Sequence, residues 1–513
     1  NCHTRGASME MRKPVLRLHK KDNVVVALRD LSQGEFIEDE GLKVLEVVPK
    51  GHKVATSFIP KGARILKYGH RIGIAKEDIR AGSWVHTHNL AVASRRRRYR
   101  KVKDWEKEEL PQATSRAKFL GIPRSNGKIG TRNYIGVIST VNCSATVARR
   151  IADAFQGMRY PGVDGVVALV HGEGCAGQSS GERFEAFRRV FTGYINHPNF
   201  AGVLLVGLGC EVNQPEGILM AVGVEKTPLV RTLLIQDHGG TQRTIEKGVE
   251  VVREMLKVAQ EARRTEISAE KIVLGVECGG SNAYSGITAN PALGFAADML
   301  VSHGGTVILS ETPEIYGAEH LLIERASSPR VAQKLLERIR WWESYVRNNE
   351  GEMDNNPSPG NKKGGLTTIL EKSLGAVSKG GTTRLMEVYE YAEEVRSRGL
   401  VFMDTPGYDP ASVTGMVAGG ANVIAFTTGR GSAFGCKPVP VLKLATTSEL
   451  FHAMEDDMDI DCGTIIQGEE SVEEVGARIF KKILEVASGE RTKSELLGYG
   501  DMEFVPWRMG AMM

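Results

Sequence analysis

Between residues 13 and 93 the apolar positions come in short alternating runs, "VLRLHKKDNVVVAL", "GLKVLEVVPKGHKVA", "ARILKYG" and "SWVHTHNL", broken by Gly, Pro and Asp. Alternation with a period of two predicts half-buried strands, hence a small β-rich domain. From about residue 118 the texture changes. Continuous apolar runs, "YIGVIST", "GVVALV", "GVLLVGLG", "IVLGVE", "TVILSE", "LVFMDT", "NVIAFTTG" and "PVLKLAT", are interleaved with stretches whose apolar residues recur every three or four positions, such as "TIEKGVEVVREMLKVAQEA" and "RVAQKLLERIRWWESYV". This strand-then-helix repetition predicts α/β units of a Rossmann-like kind around a mostly parallel sheet. The run "SRRRRYRKVKDWEKEELPQ" reads as a solvated linker, and Tyr99 alone is poor support for a nucleic-acid arm. A second break, "NNEGEMDNNPSPGNKKGG", is a long loop of the sort that is functional or disordered. The expected organisation is therefore a β-rich domain over 13–93, a charged linker over 94–117, α/β subdomains over 118–265 and 266–490, and a tail over 491–513.

Composition adds boundaries. A chain of 513 residues exceeds one core and predicts two to four domains. Its 66 basic and 62 acidic residues nearly balance, so charge gives no reason to expect nucleic acid or a membrane as partner. No apolar run approaches the ~20 residues of a membrane span, and no signal-peptide core is evident, so a cytoplasmic protein is expected. Seven scattered cysteines do not suggest a disulfide framework and read as reduced thiols, for packing or for metal. Residues 1–8, "NCHTRGAS", fit no element, and Cys2 and His3 are set aside.

Three constellations carry chemistry. First, "VISTVNC", "VALVHGEGC", "LLVGLGCE" and "VLGVECGGS" each bring a strand-like run to a cysteine. Ligands of parallel sheets bind at the carboxyl ends of strands, so Cys143, Cys175, Cys210 and Cys278 would share one rim if these strands are neighbours. With His171 and Glu211 nearby they suit iron or an iron–sulfur cluster, whereas small buried cysteines also simply pack. Second, His86 and His88 alternate on one expected strand and, with His19, His52 and Asp22, have the residue types for a first-row divalent metal; the alternative is an exposed polar face. Third, "ECGGSNAYSGITANP", "NPSPGNKKGG" and "FTTGRG" are Gly-rich turns. Their backbone N–H groups suit anionic oxygens, Lys362, Lys363 and Arg430 add charge, and Ser281, Asn282, Ser285, Asn290 and Asn361 are candidates to read hydroxyls. Chain reversal is the commoner use of such turns. No phosphate-binding "GxxxxGK[ST]" or strand-linked "GxGxxG" occurs, which disfavours ATP and NAD.

Several of these motifs, in order, resemble the altronate and galactarate dehydratase family over about residues 13 to 490. "LHKKDNVVVAL", "PKGHKVA" and "WVHTHN" resemble its SAF domain, and "GTRNYIGVISTVNC", "GLGCE", "ECGGSNAYSGITANP", "NPSPGNKKGGL" and "FTTGRG" its catalytic region. The resemblance implies a cytoplasmic, homo-oligomeric, iron-dependent lyase that takes water from a sugar acid to leave a 2-keto-3-deoxy acid. It brings His52, Lys53 and His171 forward for acid–base roles. Metal candidates are His19, His52, His86 and His88 in one scheme and Cys143, Cys175, Cys210 and Cys278 in the other. Asn282 stands where the family's "GGSD" carries Asp, and a neutral amide accepts no proton at pH 7. Glu173 stands where relatives tend to carry Tyr. Elimination of sulfite from sulfolactate by the same family, and a sugar-acid-binding regulator, are the competing expectations.

Overall fold

A computed structural model describes residues 13–92, 113–175 and 180–509. Most of the expected linker, with Tyr99, lies outside these residues, as do Cys2 and His3. The N-terminal domain is built of short β-strands, with one 3-10 turn at Glu38–Glu40. Its main sheet runs β1 (Val15–Leu16), β2 (Val24–Ala27), β3 (Lys53–Ala55) and β4 (Trp84–Val85) in that order, antiparallel throughout. All four residues of β2 are buried, because a second layer of short strands covers one face and the catalytic region the other.

The second domain is a parallel four-stranded sheet of β5 (Tyr134–Ser139), β6 (Gly165–Leu169), β7 (Phe200–Gly207) and β8 (Val230–Leu234), in the spatial order β6-β5-β7-β8. Every residue of β5 is buried, as expected for a central parallel strand covered on both faces. The third domain is a parallel seven-stranded sheet of β9 (Val273–Gly279), β10 (Thr306–Leu309), β11 (Leu385–Tyr389), β12 (Gly399–Met403), β13 (Val423–Thr428), β14 (Val441–Ala445) and β15 (Ile460–Asp461), in the order β11-β12-β10-β9-β13-β14-β15. Strand Lys118–Pro123 pairs antiparallel with Thr265–Ser268, so both ends of the second domain return to one ribbon beside the third.

The residues expected to form a tail are built in. Thr492 caps a short helix, Lys493–Leu496, whose Glu495 receives two hydrogen bonds from Arg132 at 2.6 and 2.8 Å across the domain boundary. Trp507 stacks on Trp342 with centroids 5.3 Å apart. Residues 491–509 are therefore part of the fold, a long-range packing relation that local periodicity does not carry.

Candidate active site

In the seven-stranded sheet the chain leaves β9 for β10 on one side and later returns to β13 on the other. The mouths of β9 and β13 thus border the topological switch point, where open parallel sheets bind ligands. β9 ends in "ECGGSN" and β13 in "TTGRG", the two turns singled out above. Two glycines let this crevice close on its floor. A Cβ on Gly279 would lie 2.3 Å from Asp409 Oδ2, and Gly280 has φ 57°.

The small polar residues of these turns brace the backbone. Asn282 Oδ1 accepts from the amides of Tyr284 and Ser285, and its Nδ2 donates to Gly429 O at 2.9 Å. Ser285 Oγ accepts from Asn282 N. Asn290 ties Thr427 Oγ1 to Gly375 O. Asn361 caps the short helix Pro359–Lys363 together with Ser358 and donates to Ser281 O at 2.9 Å. Ser281, Asn282, Ser285, Asn290 and Asn361 are all buried, and for the four whose side-chain bonds are described the substrate-reading role gives way to an internal one. What they hold in place is a basic lip. Lys363 and Arg430 are exposed, Lys362 is half-buried, and Gly364 packs against Asn282 and the Arg430 stem.

The N-terminal domain docks on this lip. His52 Nε2 donates to Lys363 O at 3.2 Å, while its Nδ1 accepts from Trp84 Nε1 at 3.1 Å. Burial keeps this imidazole below its ordinary pKa, hence neutral, with both nitrogens engaged. His52 therefore has no lone pair left for a metal or a proton. Lys53 is fully buried and donates to Gly365 O and both oxygens of Glu371, which Lys67 also reaches at 2.8 Å. Burial lowers Lys53 to about 8, but its hydrogens are committed to the interface, which makes it a docking residue rather than a base. β4 ends at Val85, so His86 and His88 lie on a turn and not on one strand face. His86 stacks on Trp84 and sits 4.7 Å, centroid to centroid, from His52; His88 lies 5.1 Å from Trp84. His19 Nδ1 accepts from Lys21 N, and its ring lies against Gly69. Of the histidines proposed as ligands, His86 alone has a nitrogen, Nδ1, that is buried and unpartnered.

Beneath the crevice lies a group of which the sequence reading held only Cys278. Glu277 and Cys278 end β9, Glu311 and Glu314 follow β10, and Asp409 opens the helix Asp409–Ala418. Ligand atoms of Cys278, Glu311 and Glu314, and separately of Glu277, Glu311 and Asp409, lie within 4.8 Å of one another. Lys379 Nζ is 2.8 Å from Cys278 Sγ and 3.3 Å from Glu311 Oε2, and Lys372 Nζ is 2.5 Å from Glu314 Oε1. Asn356, from the long loop, bridges Glu314 and Lys372. Burial, then Glu311 and Glu314, push Asp409 up to about 7. Burial also raises Glu277 and Glu311, whereas Lys372 and Lys379 overcome it at Glu314 and hold that carboxyl low. Glu311 Oε1 is buried and receives no hydrogen bond from an N–H or hydroxyl; the Glu277 carboxyl is its neighbour. The legible signal was a charged residue at the end of an apolar run, as in "TVILSETPE".

The four cysteines do not share a rim. Cys143, Cys175 and Cys210 follow β5, β6 and β7 of the four-stranded sheet and are exposed, whereas Cys278 is buried in the other sheet. His171 Nε2 donates to Ser139 O at 2.9 Å and its Nδ1 accepts from Glu173 N. Burial lowers it to about 4. His171 is thus a neutral brace between β5 and β6, not an acid–base group.

Among the described residues no helix is long and apolar enough to cross a membrane. Three family profiles match in series: the altronate/galactarate dehydratase SAF domain over 13–93, the second domain of D-galactarate dehydratase/altronate hydrolase over 121–260, and the D-galactarate/altronate dehydratase C-terminal region over 269–512. The chain is 37% identical over 500 residues to a galactarate dehydratase (L-threo-forming) of Escherichia coli, covering 93% of each chain. It is 34% identical over 490 residues to an altronate dehydratase of Bacillus subtilis, covering 94% of this chain and 97% of that one. A (2R)-sulfolactate sulfo-lyase subunit beta of Chromohalobacter salexigens is 29% identical over 76% of this chain. Matches of this extent, with the β-rich domain docked on a switch-point crevice, make the chain a hydro-lyase belonging to the galactarate/altronate dehydratase family.

Proposed function

We propose that this chain dehydrates a galactarate- or altronate-type sugar acid to a 2-keto-3-deoxy acid in the crevice between β9 and β13. The observation that carries the reading is a basic lip, Lys362, Lys363 and Arg430, set over a buried acidic floor whose Asp409 titrates near neutral pH. The reaction removes a weakly acidic hydrogen alpha to a carboxylate and expels the neighbouring hydroxyl. Arg430 offers the carboxylate a bidentate fork, and the two lysines add positive charge. Asp409, reachable past the missing Gly279 side chain, is the group able to take or give a proton at that carbon. The docked N-terminal domain holds the lip in place through His52 on the Lys363 carbonyl.

Iron is the metal that the resemblance implies. The histidines fit it poorly, since His52 and His19 have nitrogens engaged and no histidine belongs to a group of three converging donors among the described residues. The buried set fits: Glu311 Oε1 lacks a donor, and a thiol with carboxylates suits a borderline divalent ion. Cys278, Glu311 and Glu314, with Glu277 and Asp409 beside them, would hold it. Bound there, it would supply electron withdrawal from the substrate carboxylate. The test is a panel of aldonic and aldaric acids plus sulfolactate, assayed without oxygen in the presence of ferrous iron. Formation of a 2-keto acid from a sugar acid is expected. Sulfite release from sulfolactate alone would replace this reading with the sulfo-lyase one, and no turnover of any member would overturn both.

A further inference from the structure

The four-stranded sheet has a switch point of its own. From β5 the chain goes to β6 on one side and then crosses to β7 on the other, so the mouths of β5 and β7 border a crevice like that of the larger sheet. Cys143 and Cys210 stand at those two mouths and Cys175 at the adjoining mouth of β6. All three are exposed, unpaired thiols.

The rim that carries them is braced from every side. His171 ties β6 to Ser139 at the end of β5, and Asn142 N donates to Glu173 O at 2.8 Å. Ser144 Oγ donates to Val206 O at 2.6 Å, joining β5 to β7. Val212 N donates to Cys175 O at 3.1 Å, which links the β7 loop directly to the β6 loop. These bonds place each cysteine within a residue or two of a contact with a neighbouring loop.

The same bonds decide which donors remain. Glu211, beside Cys210, accepts from Thr140 Oγ1, Leu208 N and Gly209 N. Glu173 is paired with Arg183 at 2.8 Å and with Arg508 at 3.1 Å. His171 has both nitrogens engaged. These carboxylate and imidazole groups of the rim are thus engaged within the protein while the three sulfurs are free thiols, which favours a soft metal centre. Among the described residues the three sulfurs do not converge within 4.8 Å of one another, so no pocket for a single ion is formed. A cluster, whose irons carry their thiolates outward from separate corners, does not require such convergence.

We propose that Cys143, Cys175 and Cys210 bind a [4Fe–4S] cluster on the second domain, with the fourth iron facing solvent and open to a non-protein oxygen ligand. Binding replaces three thiol protons with iron–sulfur bonds and leaves Cys278 outside the cluster. The site is distinct from the crevice of the third domain and does not depend on the dehydratase reading.

The experiment uses the full chain, kept free of oxygen and incubated with ferrous and ferric salts, sulfide and a thiol reductant, then desalted. Iron, acid-labile sulfide and broad visible absorbance are measured for the parent chain, for Cys143→Ser, Cys175→Ser and Cys210→Ser, and for Cys278→Ser as control. About four acid-labile sulfides per chain and the chromophore are expected in the parent and the control alike, with about four irons beyond any single ion held at the acidic floor. The three rim variants should lose sulfide and chromophore to background while keeping the parent's circular dichroism; if Cys210→Ser loses its fold, Cys143→Ser and Cys175→Ser carry the test. Absence of labile sulfide or of the chromophore in the parent, or their persistence in all three rim variants, would each overturn the proposal. Because the readout is cluster content, its outcome is separate from whether any sugar acid is turned over.

Discussion

The two parallel sheets present switch points of the same topology and opposite chemistry. At the smaller sheet, hydrogen-bonding groups are braced to one another and only exposed sulfurs are left over. At the larger sheet, four carboxylates, a thiol and two lysines lie together, all but Asp409 buried, with a loop packed on them through Asn356. Buried charge at a strand mouth is costly unless paired, and here the acids outnumber the lysines. The remaining imbalance is met by protons or by a cation. The comparison teaches that a switch point fixes where a ligand goes, while the local distribution of paired and unpaired donors fixes what kind of ligand it is.

The largest effect should follow from the acidic floor. Asp409→Asn keeps shape and removes proton transfer, so kcat for dehydration should fall about 10²- to 10⁴-fold with the fold unchanged. Equal turnover of parent and variant, with thermal midpoints matched, would remove Asp409 from the reaction. The next effect is on stability. Lys53 and Lys67 share Glu371 in a site with essentially no solvent exposure. Burial works against all three charges, yet the two lysines hold Glu371 well below the usual carboxylate range. Removing the carboxylate by Glu371→Gln leaves two buried cations facing one another and should cost about 3–5 kcal/mol in denaturant unfolding. A brace at the smaller sheet is a single hydroxyl–carboxylate bond. Thr140→Val, which removes the Glu211 hydrogen bond, should cost about 1–3 kcal/mol. If the two losses were equal, the contrast drawn between the rims would be wrong.

How far these rims could be read beforehand follows the range of the interactions. Continuous apolar runs ending in Gly-rich turns located β5, β6, β7, β9 and β13 and the mouths where ligands belong, because burial on both faces and tight reversal are local properties. Donor direction is not local. Asn282 looked like a reader of substrate hydroxyls, but Gly429, far along the chain, receives its N–H. Lys53 looked like a base until Glu371 was found beside it. Glu277, Glu311, Glu314 and Asp409 were passed over because a lone carboxylate in sequence says nothing of the other three. His86 and His88 failed on a boundary: β4 stops one residue short of the alternation expected for them.

A smaller effect tests the basic lip. Arg430 is exposed beside Gly364, so its loss should leave the fold intact and weaken the substrate's carboxylate. Arg430→Ala should raise KM for a sugar acid by a factor corresponding to about 1.5–3 kcal/mol, the worth of hydrogen bonds to a charged group, with a smaller change in kcat. Arg430→Lys should recover part of it, because the point charge remains and the fork is lost. A change in kcat alone would shift Arg430 from binding to the reacting centre.

Per pH unit, the smallest effect separates the rims. Burial holds the folded pKa of His171 at about 4, below its ordinary value of 6.5. Between those limits the unfolded chain binds a proton that the folded chain does not, so the stability His171 contributes is complete above pH 6.5 and is lost as pH falls towards 4. The slope is about 1.4 kcal/mol per pH unit within that window. Glu314 is held low by lysines and gives no loss until its own, more acidic range. In denaturant unfolding between pH 8 and pH 4 the loss of stability should therefore be shallower by one proton in His171→Gln than in the parent, the other buried histidines, His197 and His86, contributing equally to both, at the cost of lower stability near neutrality. Parallel curves for the two proteins would mean that His171 is charged in the folded chain, and the neutral brace on which the sulfur rim rests would have to be redrawn as an ion pair with Glu173.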